Sequence, residues 1–137
     1  MAKLPHELYG LAEVEAAKVL KHIVKSYSEG KKVGETVLSY EGSERVRMFC
    51  GFYAGYVLGL NTQYFVRDTA MIMQAAINTR SEELIRRLAE DIAKDTGAPA
   101  EEIEKGIYRL IDSNGAMPDG NNVWEHVVYG VFMGVDH

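Results

Sequence analysis

Residues 46–60 read VRMFCGFYAGYVLGL, and the fold turns on them. Arg47, Gly51, Gly55 and Gly59 are spaced by four and stack along one face of a helix. The remaining positions, Val46, Phe49, Cys50, Phe52, Tyr53, Tyr56, Val57, Leu58 and Leu60, are apolar nearly all the way round, the mark of a buried central helix. Each glycine costs a helix about 0.5–1 kcal/mol relative to alanine, so something must approach this backbone closely enough to offset three of them. Two occupants satisfy that demand. One is another helix, from this chain or a second copy. The other is a flat or apolar ligand in a slot formed by Gly51, Gly55 and Gly59, lined by Tyr53 and Tyr56, with Arg47 meeting an anionic end.

Outward from this run the chain reads as further helices. Pro5 and Glu7 open a long helix that Gly30 closes, with Ala12, Ala16, Val19, Leu20, Ile23 and Tyr27 on its inner side. Glu15, Lys18, His22, Lys25 and Glu29 form the opposite, wet side, where Glu15 with Lys18 and Lys25 with Glu29 are spaced for ion pairs. Residues 31–42 hold Thr36, Leu38 and Tyr40 in alternation between Gly34 and Gly42, which predicts a linker or a short extended segment near 33–40. Ser43 stands at an N-cap position ahead of the glycine-faced run. Asp68 or Thr69 is placed to cap a helix through Met71, Met73, Ala75, Ala76 and Ile77. Ser81 opens another, with Leu84, Leu88 and Ile92 inward and Gly97 as its stop. Pro99 begins one with Ile103, Ile107, Leu110 and Ile111 inward, ended by Asn114-Gly115. After a turn at Pro118-Asp119-Gly120-Asn121, residues 123–135 are rich in valine, so that strand propensity competes with a helical length; helix is the expectation. Gly130 and Gly134 repeat the small-residue spacing there. The expectation is an all-α chain, a single domain over residues 1–137, built as a bundle of five or six helices around the glycine-faced one.

Composition bounds the function. The 137 residues are 47% apolar and 26% charged, with three proline and one cysteine, an ordinary globular composition with a core of its own. Cys50 has no disulfide partner, which suits a reducing compartment, and residues 1–15 lack a signal-peptide pattern, so a cytoplasmic location is expected. The longest apolar stretch, residues 48–60, is too short for a bilayer span. The net charge of −5 is uneven: residues 1–80 carry +2 and residues 81–137 carry −7. An acidic half repels phosphate, so nucleic acid is not an expected partner.

Chemistry-bearing motifs are few. His6, His22, His126 and His137 are scattered without metal-ligand spacing, so no metal or cofactor is expected, and each reads as a surface or capping histidine. Ser28 and Lys31 match Ser-x-x-Lys, a short pattern that chance supplies. Cys50 lies among apolar neighbours and reads as an inert core thiol. Residues 88–112 resemble a helix-turn-helix, with Thr96-Gly97 at the turn. The second helix departs from that motif by offering Glu101, Glu102, Glu104 and Lys105 where bases would be read. The leading expectation is therefore a non-catalytic, self-associating helical interaction module with its acidic C-terminal surface toward a protein partner. A small-ligand binding protein or enzyme using Arg47, Tyr53 and Tyr56, and a helix-turn-helix-like regulator, are the alternatives.

Overall fold

The glycine-faced run is one helix, α4 (Glu44–Leu60), and the valine-rich segment is another, α8 (Val123–Asp136). The computed structural model describes residues 4–61 and 67–136, the second stretch with side chains from 71 to 135. Around the central pair stand α1 (Pro5–Leu8), α2 (Glu13–Ser28), α3 (Val33–Leu38), α5 (Arg67–Thr79), α6 (Glu82–Thr96) and α7 (Ala100–Asp112). The described residues form an all-helical bundle with no strand. The helix count is eight among them, against the expected five or six, for two local reasons.

The first is Gly10. Its φ of +68° ends α1, and the Leu11 N–H reaches back to the His6 carbonyl at 2.9 Å, the closure of a glycine-capped helix end. The chain then restarts as α2, where the Glu15 carboxylate accepts the Ala12 N–H at 3.3 Å. The bend turns Tyr9 and Leu11 into the core. One long amphipathic helix is thus two, although Ala16, Val19 and Ile23 face inward as their spacing requires. The outer face also pairs differently from expectation, since Glu29 bridges Lys31 at 3.4 Å.

The second is residues 33–40, which are helical over Val33–Leu38 rather than extended. The alternation of Thr36, Leu38 and Tyr40 competes with Val33 and Val37 at i, i+4, and burial decides between them. Val33 and Val37 are in the core while Leu38 is 63% exposed. Thr36 turns its hydroxyl back to the Lys32 carbonyl at 2.9 Å. Gly34 lets α3 approach the end of α6, because a Cβ there would sit 3.0 Å from the Gly97 carbonyl oxygen.

The remaining punctuation follows the residues. Ser81 caps α6 by accepting the Leu84 N–H, and Gly97 ends it at φ +73°. Pro99 is the N-cap of α7, and Asn114 and Gly115, both at positive φ, lie past its end. Asp68 and Thr69 fall within the first turn of α5 rather than ahead of it. Asn122 is the cap ahead of α8: its side-chain oxygen accepts the Trp124 N–H at 3.0 Å, and its amide donates to Glu102 of α7 at 3.0 Å. Leu88, Ile92, Ile103 and Ile107 meet between α6 and α7 with no exposure. No helix among the described residues is long and apolar enough to cross a membrane.

Candidate functional site

The glycine face of α4 is covered by α8. A Cβ at Gly51 would lie 2.8 Å from Val123 Cγ2, and one at Gly55 or Gly59 would strike the carbonyl oxygen of Val127 or Val131. The contact is reciprocal. A Cβ on Gly130 would strike the Phe52 carbonyl oxygen, and one on Gly134 that of Tyr56. Partners on both helices advance together, so α4 and α8 run parallel, and the chain between them supplies the long crossover that parallel neighbours need. Backbones this close allow Cα–H···O contacts, each worth about 0.5–1 kcal/mol, which together with dispersion compensate the glycines. Gly106 extends the arrangement to α7, where a Cβ would meet Val128 Cγ2 at 2.9 Å.

Of the other members of the expected slot, Tyr56 enters this seam through its backbone, and no glycine of the seam has Arg47 or Tyr53 among its nearest neighbours. Tyr53 and Tyr56 are half-buried, with ring centroids 5.9 Å apart, and continue an aromatic row through Phe49 and Phe52. Arg47 donates from Nη2 to the Tyr40 carbonyl at 3.2 Å, while its buried Nε has no partner. Arg47 therefore braces the α3–α4 connection. The three cavities described below are lined by none of Arg47, Tyr53 and Tyr56.

Among nucleophiles and titrating groups, Cys50 is fully buried and burial pushes its thiol up to about 12, so it stays protonated near neutrality. No group of three His, Cys, Asp or Glu among the described residues is placed to hold a metal ion. His22 is half-buried, with Nε2 2.8 Å from the Thr36 carbonyl oxygen, and His137 lies outside the described residues. His126 departs from the surface role expected of it. It is 2% exposed, with Nδ1 2.6 Å from the Tyr9 hydroxyl and Nε2 3.0 Å from the Gly120 carbonyl oxygen. A carbonyl only accepts, so Nε2 carries a hydrogen. In the neutral ring Nδ1 is then the acceptor, and the Tyr9 hydroxyl donates to it. Burial holds the His126 pKa below its usual value, opposed most by the carbonyl hydrogen bond.

Cavities open on the surface among the described residues, and three of them have defined walls. Among the described residues, those that line a groove of about 390 Å³ between α5, α7 and α8 are all uncharged, and include Met73, Ile77, Leu110, Ile111, Phe132 and Met133. A cleft of about 690 Å³ lies between the α1–α2 corner, the start of α4 and loop 113–122. Its walls include Leu11, Arg45, Met48 and Met117, with Tyr9 and His126 at its buried end. A third, of about 410 Å³, has an apolar wall of Val33, Val57 and Leu58 beside Lys31, Lys32 and Lys94. The hairpin of α6 and α7 turns Glu101 and Lys105 outward, while Glu102 pairs with Lys105 at 3.6 Å and Glu104 with Arg86 at 3.8 Å.

Sequence reasoning missed His126, Tyr9 and the uncharged groove. Tyr9 and His126 are 117 positions apart, and the one local signal was Gly10, whose cap turns Tyr9 inward. The groove draws Met73, Leu110 and Met133 from three helices, each unremarkable alone. No protein-family model matches the chain, and no curated protein or solved structure is detectably similar to it.

Proposed function

We propose that the chain is a non-catalytic helical interaction module that associates with a second copy of itself through the groove between α5, α7 and α8. The carrying observation is the groove's lining, which among the described residues holds no charged side chain, in a chain that is 26% charged. Two copies of a −5 protein repel, and they meet at least cost where no carboxylate has to be desolvated. Near its rim Asp112 is already neutralised by Arg80. Met133, 42% exposed, supplies flexible apolar surface suited to a partner's side chains, above the buried Met73 of the same groove. The exposed acids of α6 and α7, among them Glu82, Glu83, Glu90, Asp91 and Glu101, remain free in such a dimer to face a basic protein partner. They also weigh against nucleic acid. The lone buried thiol fits a cytoplasmic setting.

Sedimentation equilibrium at micromolar concentration tests this reading, with a dimer expected for the wild type. Met133→Lys places a charge in an already half-open position, so the fold should survive while the dissociation constant rises at least about tenfold. A wild-type chain that is monomeric at every accessible concentration would remove the proposal. In that event the ligand alternative for Arg47, Tyr53 and Tyr56 is examined by adding anionic aromatic compounds and following the shifts of those residues.

A further inference from the structure

The hydrogen bonds of His126 join three pieces of chain that nothing else ties together so directly. Tyr9 belongs to the α1–α2 corner, Gly120 to loop 113–122, and His126 to the second turn of α8. The corner and the loop are opposite walls of the 690 Å³ cleft, and the imidazole lies between them. Beyond His126, the corner is held by the burial of Tyr9 and Leu11, and the loop by the exposed Asp119–Arg109 ion pair and the Asn122–Glu102 hydrogen bond. Helix α1 is four residues long with no buried residue, and the loop contributes only Pro118 to the buried set among residues 113–122.

We propose that His126, Tyr9 and Gly120 form a proton-operated latch, in which proton uptake by His126 releases the loop and the α1–α2 corner and opens the cleft between them. In the neutral ring both nitrogens are satisfied and so is the tyrosine hydroxyl. A second proton can reside only on Nδ1, which then donates to the Tyr9 oxygen. The tyrosine's own hydrogen then loses its acceptor, on a side chain whose ring packs with its centroid 5.7 and 5.6 Å from those of Phe49 and Phe52, and a cation stands in a nearly closed site. Opening the cleft hydrates both groups.

The charges facing the ring set how much proton uptake costs. From α7, Arg109 opposes a cation, but it is bridged to Glu125 at 3.1 Å and to Asp119, and both carboxylates favour one. Asp119 is largely exposed and therefore screened. From α4, Glu44 and Arg45 line the cleft with opposite charges, and Glu15 of α2 adds one acid. These groups leave an acidic excess that favours the cation, while desolvation, the largest influence on the ring, and the orphaned hydroxyl favour the neutral, closed state and hold the His126 pKa low. The sign follows: closure is complete above the ordinary histidine pKa of about 6.5 and weakens as pH falls below it.

The test follows the His126 ring by NMR while amide hydrogen exchange, corrected for its intrinsic pH dependence, is measured on the full chain between about pH 7.5 and pH 5. Amide protection at residues 10 and 11, whose N–H groups donate to the Glu7 and His6 carbonyls, should fall at least about tenfold in step with the His126 titration, and the Met117 and Gly120 signals of the loop should shift with it, while amides of α6 hold. In His126→Gln, which hydrogen-bonds but does not titrate, the fall should vanish. Tyr9→Phe deletes the donor that favours the neutral ring, so His126 should titrate at higher pH and the release should move with it. The proposal is overturned if residues 10 and 11 keep their protection through the titration, or if His126→Gln loses it equally. Simultaneous loss in α6, which marks global acid unfolding, overturns it as well. Should His126→Gln fail to fold, an unmoved His126 titration in Tyr9→Phe has the same force.

Discussion

Helices α6 and α7 bury side chains against each other, whereas α4 and α8 bury backbone. In the first pair Leu88, Ile92, Ile103 and Ile107 are wholly enclosed, and the opposite faces carry Arg86, Arg87, Glu90 and Lys105. Stability there comes from apolar area, and a strict helical period announces it. In the second pair the glycines of each helix lie against carbonyls of the other, and apolar side chains surround both. Stability there depends on an approach that no side chain on the contact line permits. The two solutions share one core but differ in tolerance. A side-chain interface absorbs a small change of volume with a graded loss, because neighbours relax in part. A backbone interface has no rotamer to adjust.

The largest effect is therefore expected from Gly55→Leu. The added side chain starts at a point already occupied by the Val127 carbonyl oxygen, with the Val131 nitrogen 3.2 Å away. Either α8 moves off or the variant does not fold. Its cost should reach or exceed the upper end of overpacking, about 3 kcal/mol, despite the better helix propensity of leucine. Thermal melts check this. Because the glycine face is covered by the chain's own α8, a variant as stable as wild type would mean that α8 is not seated on it, and would restore the slot as a place for a ligand.

A smaller loss is expected in the other pair. Ile103→Val removes one methylene from a fully enclosed position between α6 and α7, and should cost about 1 kcal/mol. Denaturant midpoints measured with an unchanged slope would place the loss in the native packing. A cost as large as that of Gly55→Leu would show that the side-chain interface is as intolerant as the glycine seam and erase the distinction.

How far each region was legible in the sequence follows from the same physics. The period of α6 and α7, with Ser81 and Gly97 as punctuation, predicts those helices closely because side-chain burial writes a repeating pattern. The glycine spacing of α4 predicts that something lies against it, and the matching Gly130 and Gly134 hint at what. The choice between α8, a second copy and a ligand is a tertiary fact, set by a crossover of three helices. Residues 33–38 misled because two periods overlap in six residues and only burial of Val33 and Val37 selects one. The break at Gly10 was legible in principle, as glycine two residues after Leu8 is a cap signal, but the apolar stripe running on through Ala12 and Ala16 hid it. Nothing local to His126 distinguishes it from a surface histidine, since its partners lie at positions 9 and 120.

The smallest effect is expected where a glycine has no such neighbour. At Gly120 a Cβ would meet nothing within 4 Å, and the backbone there is not in the left-handed region. Alanine should fit without strain, and by narrowing the unfolded ensemble it should leave stability within about 0.5 kcal/mol of wild type or raise it slightly. The main-chain carbonyl that accepts from His126 is retained, so amide protection at residues 10 and 11 near neutral pH should also be unchanged. The informative partner is Gly59→Ala, the same chemical change made in mid-helix. Propensity alone predicts a gain of about 1 kcal/mol there, yet the new methyl would press on the Val131 carbonyl oxygen and the Gly134 Cα. Melts of the two variants side by side isolate the approach itself. A loss at position 59 with none at 120 assigns the cost to the backbone contact, whereas a gain at both would show that α8 stands further off and that α4 is held by its side chains alone.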